Sequence, residues 1–223
     1  MNLVSVIIPY YRKKHYISKS LDSVINQTYN KLEIIIIYDD EKKDDLNYVK
    51  ELASKDKRIR LIVNKKNFGA GMSRNIGIKS SKGNYISFID SDDIWMKNKI
   101  ERQLKFMKKN NLDFTHTSYL IVNDKNDIKS VRHARNFLSL GDLLKSCDIG
   151  LSTVMIKKSI LIGNRFSKLK TKEDFALWLE LLKKNIKIFG IKSKLVIWRK
   201  TNNSLSSSLF QKVCDGYRVY KIY

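Results

Sequence analysis

Acidic side chains at two places in the chain are spaced so that they can do chemistry together. The first place is Asp90-Ser91-Asp92-Asp93, where three aspartates follow the apolar run Tyr85 to Ile89. Two carboxylates about 5 Å apart repel by roughly 3 kcal/mol at an effective dielectric of 20, and a divalent cation removes that repulsion. Mn2+ or Mg2+ is commonly held by one or two carboxylates plus the phosphates of a substrate. The cluster therefore reads as a metal-diphosphate site. A plainer account has Asp92 or Asp93 capping the next helix; that explains one aspartate, not three.

The second place is Glu173-Asp174, at the head of an apolar helical pattern. Thr171-Lys172-Glu173-Asp174 fits a capping box, with Thr171 as cap and Asp174 reaching back. The alternative is that one of the two carboxylates points into a cleft as a general base. Asp39-Asp40 ends another apolar run. Asp40 reads as a turn residue, whereas Asp39 is either that or an acceptor for a base N–H or a ribose hydroxyl. Tyr11, after Pro9-Tyr10, is either a surface aromatic or a platform for a base.

Other chemistries are excluded. Gly69-Ala70-Gly71 lacks the third glycine of a dinucleotide fingerprint, because Arg74 stands in its place, and the first strand-to-helix turn has no glycine. No Gly-Lys-Ser/Thr phosphate loop and no Ser-His-Asp arrangement occurs. His15, His116 and His133 have no acidic partner at a telling spacing and read as surface or packing residues. Cys147 and Cys214 have no metal or disulfide spacing.

These groups must be positioned by something, and the first half alternates strand and helix signals. Val4 to Ile8 reads as a buried strand stopped by Pro9, followed by a helix through Ile17, Leu21, Val24 and Ile25. Ile34 to Ile37 is a second strand, and Leu46, Val49, Leu52 and Ala53 mark a helix. Ile59 to Val63 is a third strand, Ala70 to Lys79 a helix, and Tyr85 to Ile89 a fourth strand. Ile100, Leu104 and Met107 mark a further helix. This alternation implies an α/β fold, with a mostly parallel sheet and helices on both faces. In such sheets ligands bind beyond the carboxyl ends of the strands, where Pro9-Tyr10-Tyr11, Asp39-Asp40 and the aspartate cluster all fall.

The second half is less regular. Phe114 to Val122 is a strand, Asp124 to Arg135 a polar surface loop, and Ser139 to Lys145 a short helix. Ser152 to Ile156 and Leu195 to Trp198 are strands. Asp174 to Lys184 is a helix, and Leu209 to Tyr223 an amphipathic one.

The chain has 223 residues and a formal net charge of +22, carried by 44 Lys and Arg against 22 Asp and Glu. Such a surface favours anionic partners. No apolar run approaches the roughly 18 residues of a membrane span. Leu3 to Ile8 is too short for a signal peptide and has no basic region before it. The expectation is a cytoplasmic protein that can rest on an anionic membrane surface.

Taken in order, four stretches resemble family 2 glycosyltransferases with the GT-A fold. Val4 to Tyr11 with Leu21-Asp22-Ser23-Val24-Ile25-Asn26-Gln27-Thr28-Tyr29 is similar to the family's opening strand and helix. Asn67-Phe68-Gly69 with Ser73-Arg74-Asn75-Ile76-Gly77-Ile78 is similar to its middle block. Gly83 to Trp95 resembles the strand leading to its DxD motif, and Glu173 to Leu179 its catalytic-base segment. The match covers most of residues 3–200.

The resemblance implies an inverting transfer of sugar from a nucleotide-sugar donor, UDP above all, to a glycan or glycolipid acceptor in bacterial surface-polysaccharide or lipooligosaccharide assembly. It implies Mn2+ or Mg2+ on Asp92, with Asp90 supporting the metal or the ribose and Ser91 between them. Asp39 would face the base, Pro9 and Tyr11 would line the donor site, and Arg74 would lie near the nucleotide or its phosphates. Asp174 would deprotonate the acceptor hydroxyl, with Glu173 and Trp178 on the acceptor side. It further implies a GT-A domain over 1–200, divided into a nucleotide-binding half at 1–95 and an acceptor and catalytic-base half at 96–200. Residues 201–223 would form a C-terminal helical tail, whose Tyr217, Tyr220 and Tyr223, with Arg218 and Lys221 among them, either pack on the domain itself or rest on lipid headgroups at the inner face of the plasma membrane. Three positions depart from the pattern: Tyr10 for a common Thr, Tyr38 for a common Asp, and Glu41-Lys42-Lys43 for a Gly-Ser turn.

Two other readings share some of these features. Nucleotidyl transfer also uses paired aspartates and a cation, but does not need Glu173-Asp174. A basic nucleic-acid-binding module would use the lysines, but no such motif is present and the aspartate cluster repels a polyanion. No nucleic-acid partner is expected.

Overall fold

A strand covered on both faces has no reason to alternate polar with apolar residues, and Ile34 to Ile37 shows the consequence. In the computed structural model, which describes residues 2–200 and 209–221, all four isoleucines are fully buried. They belong to β2 (Leu32–Tyr38), which lies between β1 (Val4–Tyr10) and β3 (Ile59–Val63). On β2, Ile34 and Ile36 face one layer and Ile35 and Ile37 the other.

The first layer holds α1 (Lys14–Ile25), α2 (Leu46–Ser54) and α4 (Lys99–Lys109). The second holds α3 (Ala70–Ser80), α5 (Leu140–Lys145) and α6 (Glu173–Lys183). Helix α6 buries Phe175, Leu177, Trp178, Leu179, Leu181 and Leu182, nearly its whole circumference, as a central helix must.

The remaining strands are β4 (Tyr85–Phe88), β5 (Ile94–Trp95), β6 (Phe114–Val122), β7 (Ile128–Arg132), β8 (Met155–Lys157) and β9 (Phe189–Arg199). The sheet runs β3-β2-β1-β4-β8-β6-β9-β5, with β7 paired to β6. Strands β1 to β4 pair in parallel, as the alternation predicts. The second half adds antiparallel neighbours at β8, β5 and β7, together with one parallel pair, β6 with β9. Helix α7 (Leu209–Tyr220) closes the described chain, and no described helix is long and apolar enough to cross a membrane.

Four expectations about elements are corrected. Strand β1 does not stop at Pro9 but pairs through Tyr10 with β2. Its β4 ladder ends at Ile7, so the missing N–H of Pro9 leaves nothing unpaired on that side. The expected loop at 124–135 contains β7, an exposed edge strand whose Lys129 and Arg132 guard it against further pairing. Strand β9 is longer than 195–198; register shifts against β6 between Thr117 and Tyr119 break its alternation. Residues Leu151–Thr153 form a 3-10 turn ahead of β8 rather than part of a strand.

Candidate active site

The loop after β4 carries the aspartate cluster and is tied down from both sides. The Asp90 N–H donates to Ser152 Oγ at 3.0 Å, and the Asp90 carbonyl accepts from Ser20 Oγ at 3.2 Å. Ser91 Oγ donates to the carbonyl of Pro9 at 2.5 Å, clipping the loop to the end of β1. Pro9 and Ser91, both expected to line the donor site, are thus bonded to each other at the carboxyl end of β1.

The three aspartates have different environments. Asp90 accepts from Arg74 Nη2 at 2.8 Å, with a side chain 33% exposed. Asp92 meets Lys13 Nζ at 2.8 Å and is 14% exposed. Burial, then the charge of Asp90, pushes the Asp92 pKa up, while Lys13 opposes the rise. Asp93 is fully buried and accepts from Ser152 Oγ at 2.5 Å and from the Arg199 N–H at 3.0 Å. Burial, then Asp90 and Asp92, holds its carboxyl well above the usual range. The capping account is corrected: β5 intervenes, and α4 starts at Lys99 behind Asn98, so neither Asp92 nor Asp93 caps it.

Among the described residues no three His, Cys, Asp or Glu side chains converge on one point to cage a metal. Asp90 and Asp92 nonetheless fit a metal whose other ligands come from a substrate. They are two residues apart and partly open, the charge of Asp90 helps to raise the Asp92 pKa, and Asp92 already draws a cation, the Lys13 ammonium.

Arg74, in α3, is almost fully buried and spans the two acidic places. Nη2 holds Asp90, Nη1 donates to Glu173 Oε1 at 2.6 Å, and the guanidinium stacks over Phe166 at 5.5 Å. It was expected near the nucleotide or its phosphates; here both ends of its fork are engaged by carboxylates. The residues before it explain how α3 comes so close. Gly69 opens the helix at a φ of 84°, and a Cβ on Gly71 would lie 2.8 Å from the Ser167 carbonyl and 3.0 Å from Glu173 Cγ.

Thr171 does not cap α6, which corrects the capping-box reading. Its N–H and hydroxyl both donate to Asp215 Oδ2 at 3.0 Å, and Lys172 precedes the helix in the left-handed region. Glu173 turns to Arg74. Asp174 accepts from the Phe175 N–H at 2.7 Å. Burial pushes the Asp174 pKa up, and the charge of Arg74 offsets part of the rise. Trp178 is fully buried, edge-on to Phe114 at 4.8 Å and to Phe166 at 6.0 Å, so its expected place on the acceptor side is corrected to the core.

Asp39 is buried and holds the loop that leads into α3. Oδ1 accepts from Asn64 Nδ2 at 2.7 Å and from the Phe68 N–H at 2.9 Å, and Oδ2 from the Gly69 N–H at 2.8 Å. Tyr11 is 39% exposed at the tip of β1, with the Arg12 guanidinium 4.8 Å over its ring. Arg12 grips Asp40 through Nε at 2.9 Å and Nη2 at 3.3 Å and holds that carboxyl below its usual range. Asp40 also accepts from the Lys42 N–H, as a turn residue does.

Sequence reasoning passed over Arg12, Lys13, Ser152 and Arg199. The first two carry a weak signal, adjacent cations just after a strand tip in a region of acids; the others have none, because their partners are distant in sequence. Two departures from the family pattern, Tyr10 and Tyr38, are in contact with each other. Tyr10 and Tyr38 stack in the core at 5.2 Å, the Tyr10 hydroxyl donates to Asp45 Oδ2 at 2.6 Å, and the Asp45 N–H donates to Tyr38 Oη at 3.2 Å.

The tail helix α7 docks through buried Asp215 and Val219, while Val213, Tyr217 and Tyr220 are exposed. Residues 201–208, Ile222 and Tyr223 of the expected tail lie outside the described residues.

Comparison with known proteins gives a consistent family. Residues 5–166 match the family described as Glycosyl transferase family 2. The chain is 39% identical over 214 residues to UDP-Glc:alpha-D-GlcNAc-diphosphoundecaprenol beta-1,3-glucosyltransferase WfgD of Escherichia coli, covering 95% of this chain and 82% of that one. It is 35% identical over 221 residues to WfaP, of the same described activity and organism, covering 99% and 86%. Among solved structures, S. aureus TarS 1-349 in complex with UDP-GlcNAc superposes with a TM-score of 0.78 at 21% identity. That likeness covers 92% of this chain and 61% of the TarS chain, and at this identity it speaks to the fold.

Proposed function

The chain belongs to glycosyl transferase family 2, and from that premise we propose that it carries out an inverting, metal-dependent transfer from a UDP-sugar. The acceptor is a hydroxyl of a glycan or of a lipid-diphosphate-linked glycan, a precursor of bacterial surface polysaccharide. The observation that carries this reading is the Arg74 fork. It fixes Asp90, beside the metal-binding candidate Asp92, and Glu173, beside the base candidate Asp174, as two ends of one rigid unit.

Each group then has work suited to its surroundings. Asp92, with Asp90, would hold Mn2+ or Mg2+, which when bound offsets the charge developing on the departing nucleoside diphosphate. Tyr11, exposed on one side and braced by Arg12, packs on the nucleobase. Asp39 forms the base end of the site by fixing the Asn64 to Gly69 loop. Asp174 takes the proton of the attacking hydroxyl; burial raises its basicity, and the charge of Arg74 offsets part of that rise. Attack from the face opposite the diphosphate turns an α-linked donor into a β-linked product, in keeping with the β-1,3 linkage in the names of WfgD and WfaP.

Residues 1–95 supply the donor side, residues 96–200 the base and acceptor side, and 201–223 a tail. The net charge of +22 and the exposed Val213, Tyr217 and Tyr220 of α7 suit peripheral docking at the anionic inner face of a membrane, where a lipid-linked acceptor resides.

Incubating the chain with a panel of nucleotide sugars and Mn2+ tests the reading. Mn2+-dependent release of nucleoside diphosphate is the expected result. Release of sugar 1-phosphate instead, the group left when the nucleotidyl part is transferred, would assign nucleotidyl transfer.

A further inference from the structure

We propose that Asp215 of α7 is a positioning residue for the reaction: it takes both donors of Thr171, blocks the capping box that Thr171 and Asp174 would otherwise close, and so leaves the Asp174 carboxylate available to the acceptor hydroxyl. The inference rests on the reading of Asp174 as the base.

A capping box at the head of α6 would make three demands. The Thr171 hydroxyl would accept from the Asp174 N–H, the Asp174 carboxylate would accept from the Thr171 N–H, and Lys172 would take helical angles as the first residue of the helix. The sequence supplies the residues, but the structure uses them otherwise. The Thr171 hydroxyl donates to Asp215 Oδ2 at 3.0 Å, and the Thr171 N–H goes to the same oxygen at 3.0 Å. Lys172 stands at φ 64° and ψ 12°, in the left-handed region. The helix is therefore entered one residue late, with the Lys172 carbonyl accepting from the Ala176 N–H at 3.0 Å and no side chain capping it.

Asp215 is fully buried, and Thr171 is nearly so. A buried carboxylate is costly unless it is paired, and this one also accepts from Gln211 Nε2 at 2.9 Å and from Arg218 Nη1 at 3.1 Å. Both of those donors lie on α7 itself. The bonds that Asp215 sends across to the base segment are the two to Thr171, 44 positions away in sequence. A lysine seldom takes a left-handed φ unaided, and the doubly held Thr171 fixes the turn. Once Thr171 is released, the encoded box becomes the favoured entry to the helix. Asp174 is then spent on a backbone N–H. The charged and titratable groups bearing on Asp174 are Arg74, Asp90, Lys172, Glu173 and Cys147, and substitution at Asp215 alters none of them.

The test uses the full chain, Mn2+ and the UDP-sugar most active in the panel above. UDP release is followed against pH, and UDP binding is measured by calorimetry. Asp215→Ala should lower kcat/KM by about 10- to 100-fold, with UDP affinity near that of the parent. It should also move the rising limb of the pH profile to lower pH, because a carboxylate that accepts a backbone N–H is stabilised in its charged form. Asp215→Asn removes the same charge but keeps an oxygen for Thr171, so it should recover most of the rate and return the limb. A limb that stays in place in Asp215→Ala, or an Asp215→Asn variant as impaired as Asp215→Ala, overturns the proposal. Should Asp215→Ala not fold, Lys172→Gly and Lys172→Pro test it with Asp215 intact. Both remove the lysine charge, but glycine accepts a φ of 64° whereas proline imposes about −65°. Lys172→Gly should turn over like the parent and Lys172→Pro should lose rate as Asp215→Ala does; equal rates for the two overturn the proposal. Asp174→Asn separates this from the underlying reading. If turnover persists in it, the base assignment itself fails; if turnover is lost with UDP binding kept while Asp215→Ala behaves as the parent, only the Asp215 proposal falls.

Discussion

Arg74 Nη1 donates to Glu173 Oε1 at 2.6 Å across 99 positions of sequence. The same guanidinium holds Asp90 at 2.8 Å, so one buried cation joins the loop after β4 to the first turn of α6. The groups proposed for the donor and for the acceptor sit on elements far apart in the chain. Their distance is therefore fixed by a side chain rather than by the backbone.

Arg74→Met should be costly. It leaves Glu173 and Asp90 without their cation in a site where Arg74 is 4% exposed and Glu173 11%. Breaking a buried pair from one side costs about 3–5 kcal/mol, and the partial exposure of Asp90 places the loss at the lower end. Arg74→Lys should recover only a fraction, since a point charge cannot span two carboxylates. Adding Glu173→Gln to Arg74→Met should return part of the stability. Urea denaturation measures all three, and additive effects of the double variant would show that the two residues do not interact.

Asp174 predicts a pH profile. Burial raises its pKa, and a base acts only when ionised, so kcat/KM should climb with pH through a midpoint above the ordinary aspartate value of about 4. Arg74 lowers that pKa, so Arg74→Met should move the midpoint higher still. Asp174→Asn should lose the limb and about 10^2- to 10^4-fold in rate, with UDP affinity retained. The stability sign is opposite to that of a paired carboxylate. A raised folded pKa favours the fold below the unfolded value and loses that contribution as pH rises through the folded one. Asp174→Asn should therefore be no less stable than the parent at neutral pH. A parallel loss of UDP binding would contradict the assignment of the base.

The legible parts of this protein are those set by local pattern. The bounds of β3 and β6 agree with the apolar runs Ile59–Val63 and Phe114–Val122, and the acids of the site stand at strand and helix ends where their spacing announces them. The missed elements broke that pattern for physical reasons. Strand β7 is exposed and held by one neighbour, so it carries no apolar stripe. Strand β9 slips register against β6. In the site, no local pattern shows that Asp39 and Trp178 are buried, and nothing near Arg74 in sequence reveals its bond to Glu173. Lys13 was passed over because a lysine among many is silent until a carboxylate is seen beside it.

His116 makes acid stability titratable. It is fully buried on β6, its Nε2 lies 2.8 Å from the Arg135 carbonyl, and Nδ1 has no hydrogen-bond partner among the described residues. Burial pushes its pKa down to about 4 from the usual 6.5. The ring is neutral in the fold but charges in the unfolded chain, so its contribution is present above about pH 6.5 and lost as pH falls to about 4. The linkage amounts to about 3 kcal/mol over that window. His116→Gln cannot titrate, and should show a flatter stability between pH 7 and pH 4. Equal slopes for the two proteins would place His116 in a solvated site.

Gly71 offers a sharper check on the union of α3 and α6. In a helix, replacing glycine by alanine ordinarily gains about 1 kcal/mol. That gain is expected for Gly216→Ala in α7, where no atom of the described residues lies within 4 Å of the added carbon. At Gly71 the same carbon would meet the Ser167 carbonyl at 2.8 Å and Glu173 Cγ at 3.0 Å. Backbone cannot yield as a flexible side-chain end can, so Gly71→Ala should instead lose about 1–3 kcal/mol. Pushing Glu173 away from Arg74 also displaces Asp174, its chain neighbour. Hence kcat should fall while UDP affinity stays near that of the parent. Thermal melts and single-turnover rates on the two alanine variants read both consequences. Should Gly71→Ala stabilise as much as Gly216→Ala, the close approach of α3 to α6 does not exist, and the Arg74 fork loses its support.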